Sequence, residues 1–403
     1  MAVVGLAVVV AIAGSCGGSE PSATTTTATT TTARPTTPTT TTPSVATTGP
    51  TDERQSTLDA AREVSGAPGA LAFVRLDGAE WHGASGAADL AGTVLVPETR
   101  FRVASITKPI VAALTLNAVQ RGELSLDAVV GEMVPGVVRP DPPITVQMLL
   151  NHTSGVFDAG NESDPLADIE LLTDPALQDE AHSLVESYTA GGADIASDRL
   201  FVALAEVHER YFDPGAGFHY SNANYQLAAM VLEEVTGRPL TELLTERVVD
   251  PLGLQHTTIA PPDTDSPEFR GYGRSDDGSL LDVTDHLIAF GNGGSGGIIT
   301  TADELLTMIQ AIAAGKIVAG GLLDEMKTPT AQSDRSYGLG LATYHLSCGT
   351  FLGHEGVVNG TASIAIVSPD GADGVVVALN LRSGGDPHLP QVADELLCGD
   401  GDK

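Results

Sequence analysis

Positive charge is scarce in this sequence: 20 Lys and Arg stand against 52 Asp and Glu in 403 residues, a formal net charge of −32 with a pI of about 4.4. Such a chain repels phosphate backbones and anionic headgroups, which excludes nucleic acid as a partner and excludes a membrane except through a covalent anchor. The acidity reads as a solvated, soluble surface and carries no information about catalysis. No apolar run is long enough for a mature spanning helix, since Met1 to Gly14 falls short of the ~20 residues required. Neither an H-E-x-x-H pattern nor a paired-cysteine spacing occurs, and His152, His219 and His354 are scattered, so no metal and no cofactor are expected. The one tryptophan, Trp81, is assigned to packing in an N-terminal hairpin. What the chain does have is length, enough for one large or two intimately packed domains with a sizeable core.

Residues 1–16 suit a signal peptide, although no Lys or Arg precedes the apolar stretch. Ala13-Gly14-Ser15-Cys16 resembles a bacterial lipobox, with Ala13 where a larger aliphatic residue is usual. This makes Cys16 the expected lipidation site, a secreted or uncleaved form being the alternative. Residues 17–51 are nearly all Thr, Pro, Ala and Ser, too polar to offset the entropy of folding, and read as a tether. At roughly 3 Å per residue it would reach on the order of 100 Å. Lipidated Cys16 leaves Cys348 and Cys398 as an even pair in an oxidising location, and a disulfide between them is expected, against two unrelated buried thiols. The expected location is therefore extracytoplasmic, lipid-anchored to a bacterial cell membrane or secreted.

Residues 52–403 form the expected folded domain. Leu58, Ala61 and Val64 share a helical face, Ala70 to Leu76 is strand-like, and Asp77-Gly78 is a hairpin turn. Tyr337 to Leu346, Thr361 to Val367 and Val375 to Leu381 are also strand-like, with a turn at Asp370-Gly371 and a closing helix from Leu389 to Leu397. Between them, helices are predicted at Ile106 to Arg121 with Gly122 at its end, at Val146 to Asn151 capped by Thr145, around Leu200 to Val207, and before Gly237. The acidic stretch from Phe157 to Ser197 is an insertion without clear periodicity. The expectation is an α+β fold: an antiparallel sheet from 52–100 and 330–403, flanked by terminal helices, with a mostly helical region 101–329 inserted.

Three short constellations carry chemistry. In Ser105-Ile106-Thr107-Lys108, one turn separates a hydroxyl from an amine, which suits nucleophile activation if burial keeps the lysine neutral. In Tyr220-Ser221-Asn222, a phenol near that lysine, with its pKa lowered, would share the acid and base roles, and the Asn222 amide would donate to and accept from substrate. In His354-Glu355-Gly356, followed by Val357, a strand could lend an N–H to an oxyanion hole, Gly356 letting substrate backbone lie close. Each alone is more often structural than catalytic.

Together, and with Phe101-Arg102-Val103-Ala104, Leu149-Leu150-Asn151-His152-Thr153-Ser154-Gly155, Pro251-Leu252-Gly253-Leu254 and Gly296-Gly297-Ile298-Ile299-Thr300-Thr301-Ala302-Asp303, the chain resembles the penicillin-binding and serine β-lactamase superfamily. The form is that of class C β-lactamases and related D-alanyl-D-alanine carboxypeptidases and esterases. The resemblance implies a β-lactamase/transpeptidase-like fold acting on a small peptide, β-lactam or ester, and a monomer is expected. It implies that Ser105 attacks a carbonyl while Lys108 and Tyr220 move its proton. The Ser105 and Val357 amides would form the oxyanion hole, with Asn222, His354 and Gly356 at the substrate. The leading expectation is a carboxypeptidase-like peptidase, the alternatives being a β-lactamase, an esterase or a non-catalytic envelope-binding protein. Glu355 stands where the family often has Thr, and Val357 where the carboxypeptidases often have a hydroxyl residue, so recognition of a substrate carboxylate is in question.

Gly291-Asn292-Gly293-Gly294-Ser295-Gly296 matches a dinucleotide fingerprint literally, but the next helix is predicted only after Thr301, so it reads as a loop near the site. His152 and His219 read as capping and packing residues, and the sequons at Asn151, Asn161 and Asn359 as incidental.

Overall fold

The computed structural model describes residues 50–159, 168–189, 197–259, 265–275, 277–285, 293–334, 336–358, 360–381 and 388–399. Cys16, the signal segment, residues 17–49 of the tether, Gly291, Asn292, Asn161 and Asn359 lie outside them.

A six-stranded antiparallel sheet organises the molecule. Its strands are β1 (Gly69–Leu76), β2 (Ala79–Gly86), β8 (Ala342–Leu346), β9 (Gly349–Val358), β10 (Thr361–Val367) and β11 (Gly374–Leu379), in the order β2-β1-β11-β10-β9-β8. Strand β1 pairs with β11, Ala70 facing Leu379 and Val74 facing Val375, so distant stretches of chain meet at the centre.

Alternation along the strands divides the core in two. Ala70, Ala72, Val74, Ile364, Ile366, Val375, Val377 and Leu379 join a cluster with Leu58 and Ala61 of α1 (Pro50–Ser65) and Leu389 to Leu397 of the closing helix Leu389–Cys398. Leu71, Phe73, Ala365, Val367, Val376 and Ala378 point the other way, into the larger cluster under the helical region. A strand covered on both faces reads as an unbroken apolar run, as Gly374–Leu379 does. Each fully buried Leu, Ile, Val or Phe contributes about 1.5–3 kcal/mol.

Several boundaries depart from expectation. Helix α1 begins at Pro50, so Pro50 and Thr51 belong to the fold and not to the tether. Tyr337 forms only an isolated bridge to Ala342, and the strand starts at Ala342. The inserted region carries two small sheets: β3 (Phe101–Arg102), β4 (Thr258–Ile259) and β7 (Ile298–Thr300) form one, β5 (Tyr272–Arg274) and β6 (Leu280–Asp282) the other. The acidic insertion contains a 15-residue helix, Pro175–Thr189.

Helix α2 (Thr107–Gln120) is the centre of the larger cluster, and eleven of its fourteen residues are buried, including Lys108. A helix apolar all round has no solvent face on which a lysine could rest. The helix Asn222–Thr236 packs against α2 and ends at Gly237 with φ 66°, in the left-handed conformation glycine adopts without strain. Cys348 and Cys398 are disulfide-bonded, tying the β8–β9 turn to the closing helix.

Candidate active site

Ser105 sits in a 3₁₀ turn, Ala104–Ile106, that runs into α2. In a 3₁₀ turn residues i and i+3 eclipse, which brings the Lys108 side chain over Ser105 more directly than an α-helical start would. Ala104, buried and not glycine, has φ 51°, a left-handed conformation costing on the order of 1 kcal/mol that persists only where its surroundings hold it.

The Lys108 amine donates to Ser105 Oγ at 2.9 Å, Asn222 Oδ1 at 2.8 Å and the Ser295 carbonyl at 2.8 Å. Burial lowers its pKa to about 7, against the opposing pull of Asp158. Two of the three partners are oxygens that can only accept. When the amine gives up a proton, its two remaining hydrogens stay on those oxygens and its lone pair faces the one partner with a hydrogen to give, the Ser105 hydroxyl. The geometry and the titration therefore agree on a proton acceptor for Ser105 near neutral pH.

The structure reverses the expected behaviour of Tyr220. Burial first, and Tyr337 second, push its phenol well above the usual range, so it stays protonated. Its hydroxyl faces Ser105 but makes no hydrogen bond of good geometry among the described residues, and the Lys108 ammonium lies 4.9 Å from its ring centre. It is placed as a proton donor.

Asn222 is held at both ends. Its Oδ1 is taken by Lys108, while its Nδ2 donates to both Asp158 oxygens at 3.3 Å and its backbone N–H to Asp158 Oδ1 at 3.2 Å. Each end of the amide thus has a partner inside the protein, with one lone pair of Oδ1 and one hydrogen of Nδ2 left for a substrate.

His354 is neutral. Burial, then Lys108, lowers its pKa to about 3, so the cationic form considered from the sequence does not arise near neutral pH. Its Nδ1 donates to the Glu355 carbonyl, which fixes the tautomer, and its Nε2 accepts from the Tyr337 hydroxyl at 3.1 Å. Gly356 has a packing reason for being glycine: a Cβ there would lie 2.1 Å from the Val103 carbonyl oxygen, so its absence lets β9 close on the turn that carries Ser105. Val357 pairs with Ala362, and its side chain is exposed. Beyond Gly353 the edge of β9 away from β10 has no strand neighbour among the described residues. Glu355 pairs across with Ile364, whose side chain belongs to the terminal-helix face, and accepts from Tyr344 Oη at 3.4 Å.

Besides Asp158, sequence reasoning passed over three contributors. The Ser295 carbonyl comes from the glycine loop expected near the site. Tyr337 was counted as a strand residue. His152, read as packing, lies with its ring tilted 4.3 Å from the Tyr220 ring and accepts at Nδ1 from the Ser221 N–H and the Asn224 amide, at 3.3 and 3.0 Å, holding the Tyr220-Ser221-Asn222 loop. Among the described residues no His, Cys, Asp and Glu cluster has metal-binding geometry.

The beta-lactamase family profile matches residues 55–396. The chain belongs to the beta-lactamase family. Esterase EstB of Burkholderia gladioli is 29% identical over 303 residues, covering 68% of this chain and 72% of that protein. The D-aminopeptidase of Brucella anthropi is 26% identical over 302 residues, 73% of this chain, which spans 52% of the relative's length. A D-stereospecific amidohydrolase from a Streptomyces species superposes with a TM-score of 0.69 at 32% identity, over 87% of this chain and 99% of the other. The D-amino acid amidase of Ochrobactrum anthropi SV3 shares the fold, with a TM-score of 0.70 at 24% identity and coverage of 87% and 98%. The protein is thus a serine hydrolase of the β-lactamase and penicillin-binding protein family, with a β-lactamase/transpeptidase-like fold.

Proposed function

We propose that Ser105 forms an acyl-enzyme with small amide or peptide substrates built on D-amino acids. The buried Lys108 amine 2.9 Å from Ser105 Oγ, with its other two partners able only to accept, is the observation that carries this reading. Lys108 takes the Ser105 proton as Oγ attacks the carbonyl carbon. The Ser105 and Val357 amides hold the oxyanion, and Tyr220 passes a proton to the departing amine while recovering one from the Lys108 ammonium, so that both groups end acylation as they began it. Water then hydrolyses the ester.

The charge around the cluster bears on the substrate. A carboxypeptidase must hold a substrate carboxylate, whereas Lys108 is spent on three internal partners and its charged neighbour Asp158 is acidic, Glu355 lying on the terminal-helix face of the sheet. This field favours a substrate ammonium over a carboxylate. An aminopeptidase or amidase acting beside a free α-amine fits it better than the D-alanyl-D-alanine carboxypeptidase favoured by the motifs. The names of the aminopeptidase and amidohydrolase relatives point the same way.

The test is a panel of D-amino-acid amides with free and acetylated amines, a D-Ala-D-Ala peptide, a penicillin, a chromogenic cephalosporin and a short-chain nitrophenyl ester, read by turnover and intact mass. Turnover of the free-amine amides that acetylation abolishes, and that Ser105→Ala removes, is the expected result. Preference for the D-Ala-D-Ala peptide would return the assignment to a carboxypeptidase, and for a β-lactam or ester to those activities. No adduct and no Ser105-dependent turnover with any would leave a binding protein.

We also propose export, supported by the apolar stretch before Cys16 and by a disulfide of the kind oxidising compartments favour. Fractionation of cells expressing the native chain and Cys16→Ala is the check: the native protein should follow the membrane and the variant should not.

A further inference from the structure

Asp158 is buried and reaches the site from the irregular segment after Gly155, and neither the three motifs nor the proposed mechanism gives it a task. Its two oxygens accept the Asn222 backbone N–H and side-chain amide. An amide group is two-faced, and nothing in Asn222 itself decides which end meets Lys108. The carboxylate decides, because it only accepts: it holds the NH₂ end and turns the carbonyl end toward the amine. If Asn222 were turned over, an N–H would face Lys108, and the amine's lone pair would be drawn to it and away from Ser105.

We propose that Asp158 is a positioning residue for acylation: through Asn222 it keeps the Lys108 lone pair on the Ser105 hydroxyl. The inference rests on Lys108 acting as the proton acceptor of Ser105. A second effect runs through charge. Asp158 favours the protonated amine and so opposes the burial that lowers the Lys108 pKa. The other titratable groups around Lys108 are His152, His354, Tyr220 and Tyr225. Burial holds the histidines neutral well below pH 6.5 and the tyrosines protonated above pH 10, leaving Lys108 to set the acid limb of activity near pH 7.

The experiment compares pH profiles of kcat and KM for the full-length native protein, Asp158→Asn and Asp158→Glu, with the fold checked by circular dichroism and melting temperature. Asn at 158 has nearly the same shape but lacks the charge and can donate as well as accept. The expected result is a fall in kcat of roughly tenfold or more with little change in KM, and an acid limb moved down by about one pH unit, because the neutral amine no longer has a carboxylate opposing it. Asp158→Glu should keep the native limb. A folded Asp158→Asn protein that keeps native kcat overturns the proposal even if its limb moves, since loss of a nearby charge alone shifts the titration, and an unmoved limb overturns it as well, since a merely structural role would leave the titration alone. Should Asp158→Asn not fold, Asp158→Ser goes through the same measurement with the same two outcomes. If the native protein shows no Ser105-dependent turnover, the proposed function fails first; native turnover with a normal limb that these variants leave in place defeats only this inference.

Discussion

Gly356 lies against the carbonyl oxygen of Val103, two residues before the nucleophile, with room for no side chain: a Cβ would come within 2.1 Å of that oxygen and 3.1 Å of Ile106 Cγ1. Backbone on one side and a core side chain on the other leave nothing flexible to yield. Gly356→Ala is therefore expected to push β9 off the Ser105 turn, lowering kcat/KM by about 100-fold and stability by about 1–3 kcal/mol. Steady-state kinetics and urea unfolding together check this, and near-native activity would show that the strand's position does not matter to the reaction.

Lys108 gives a prediction with a sign. Activity requires the neutral amine, so kcat/KM should rise with pH through about 7. In the unfolded chain the lysine binds its proton up to about pH 10.5, while in the fold it releases it above about 7. Between those values the unfolded state binds more protons, so this group makes stability rise with pH, and its full cost is present below 7. Lys108→Met should abolish turnover and flatten that slope. Melting temperatures of both proteins from pH 6 to 9 are the measurement, and parallel curves would refute the depressed pKa.

Tyr220 is expected to serve the leaving group and not the nucleophile. Amines leave poorly without a proton, whereas nitrophenolate needs none. Tyr220→Phe should accordingly cost about 100-fold or more in kcat on an amide but far less on a nitrophenyl ester. Equal losses on both would return the phenol to a role in activating Ser105.

The disulfide encloses a sequence separation of 50 residues and joins the sheet to its outer helix, away from Ser105. The chain-entropy estimate gives about 4 kcal/mol, an upper figure. Replacing Cys348 and Cys398 together by Ser should lower the melting temperature while leaving kcat/KM within about twofold. A large loss of activity in a folded variant would show that the closing helix communicates with the site.

What the sequence disclosed follows from which signals are local. Thr145 caps its helix through Oγ1, Asp77-Gly78 and Gly371 make left-handed turns, Gly122 and Gly237 end helices, and the helix after the glycine loop begins at Ala302: each depends on a few neighbouring residues. The apolar runs of β1, β10 and β11 are equally local. Strand β9 was read only around His354 to Val357 and not over its length from Gly349, because Gly349, Gly353 and Gly356 depress strand propensity. Yet Gly353 and Gly356 are demanded by contacts no local window contains: a Cβ on the first would strike the Ala365 carbonyl, on the second that of Val103. The same holds in the site. Ser105 and Lys108 are a turn apart and legible, while Asp158, Ser295 and Tyr337 reach it from three separate loops and carry no spacing to betray them. The sign of the Tyr220 shift was missed because nearness to a cation can be guessed from motifs, whereas full burial cannot.

The pairing of β1 with β11 has a consequence for synthesis. A ribosome delivers the first hairpin and the Ser105 helix long before Thr361 to Leu379 emerge, and those late residues supply the strand that β1 pairs with and the strand that holds β9. Until then the nascent chain carries its hydroxyl and amine without the third wall of the cleft, and its early strands have no native neighbour on one edge. Hydrolytic competence should arrive all at once, late in translation, and the interval before it is when the young protein most needs a chaperone.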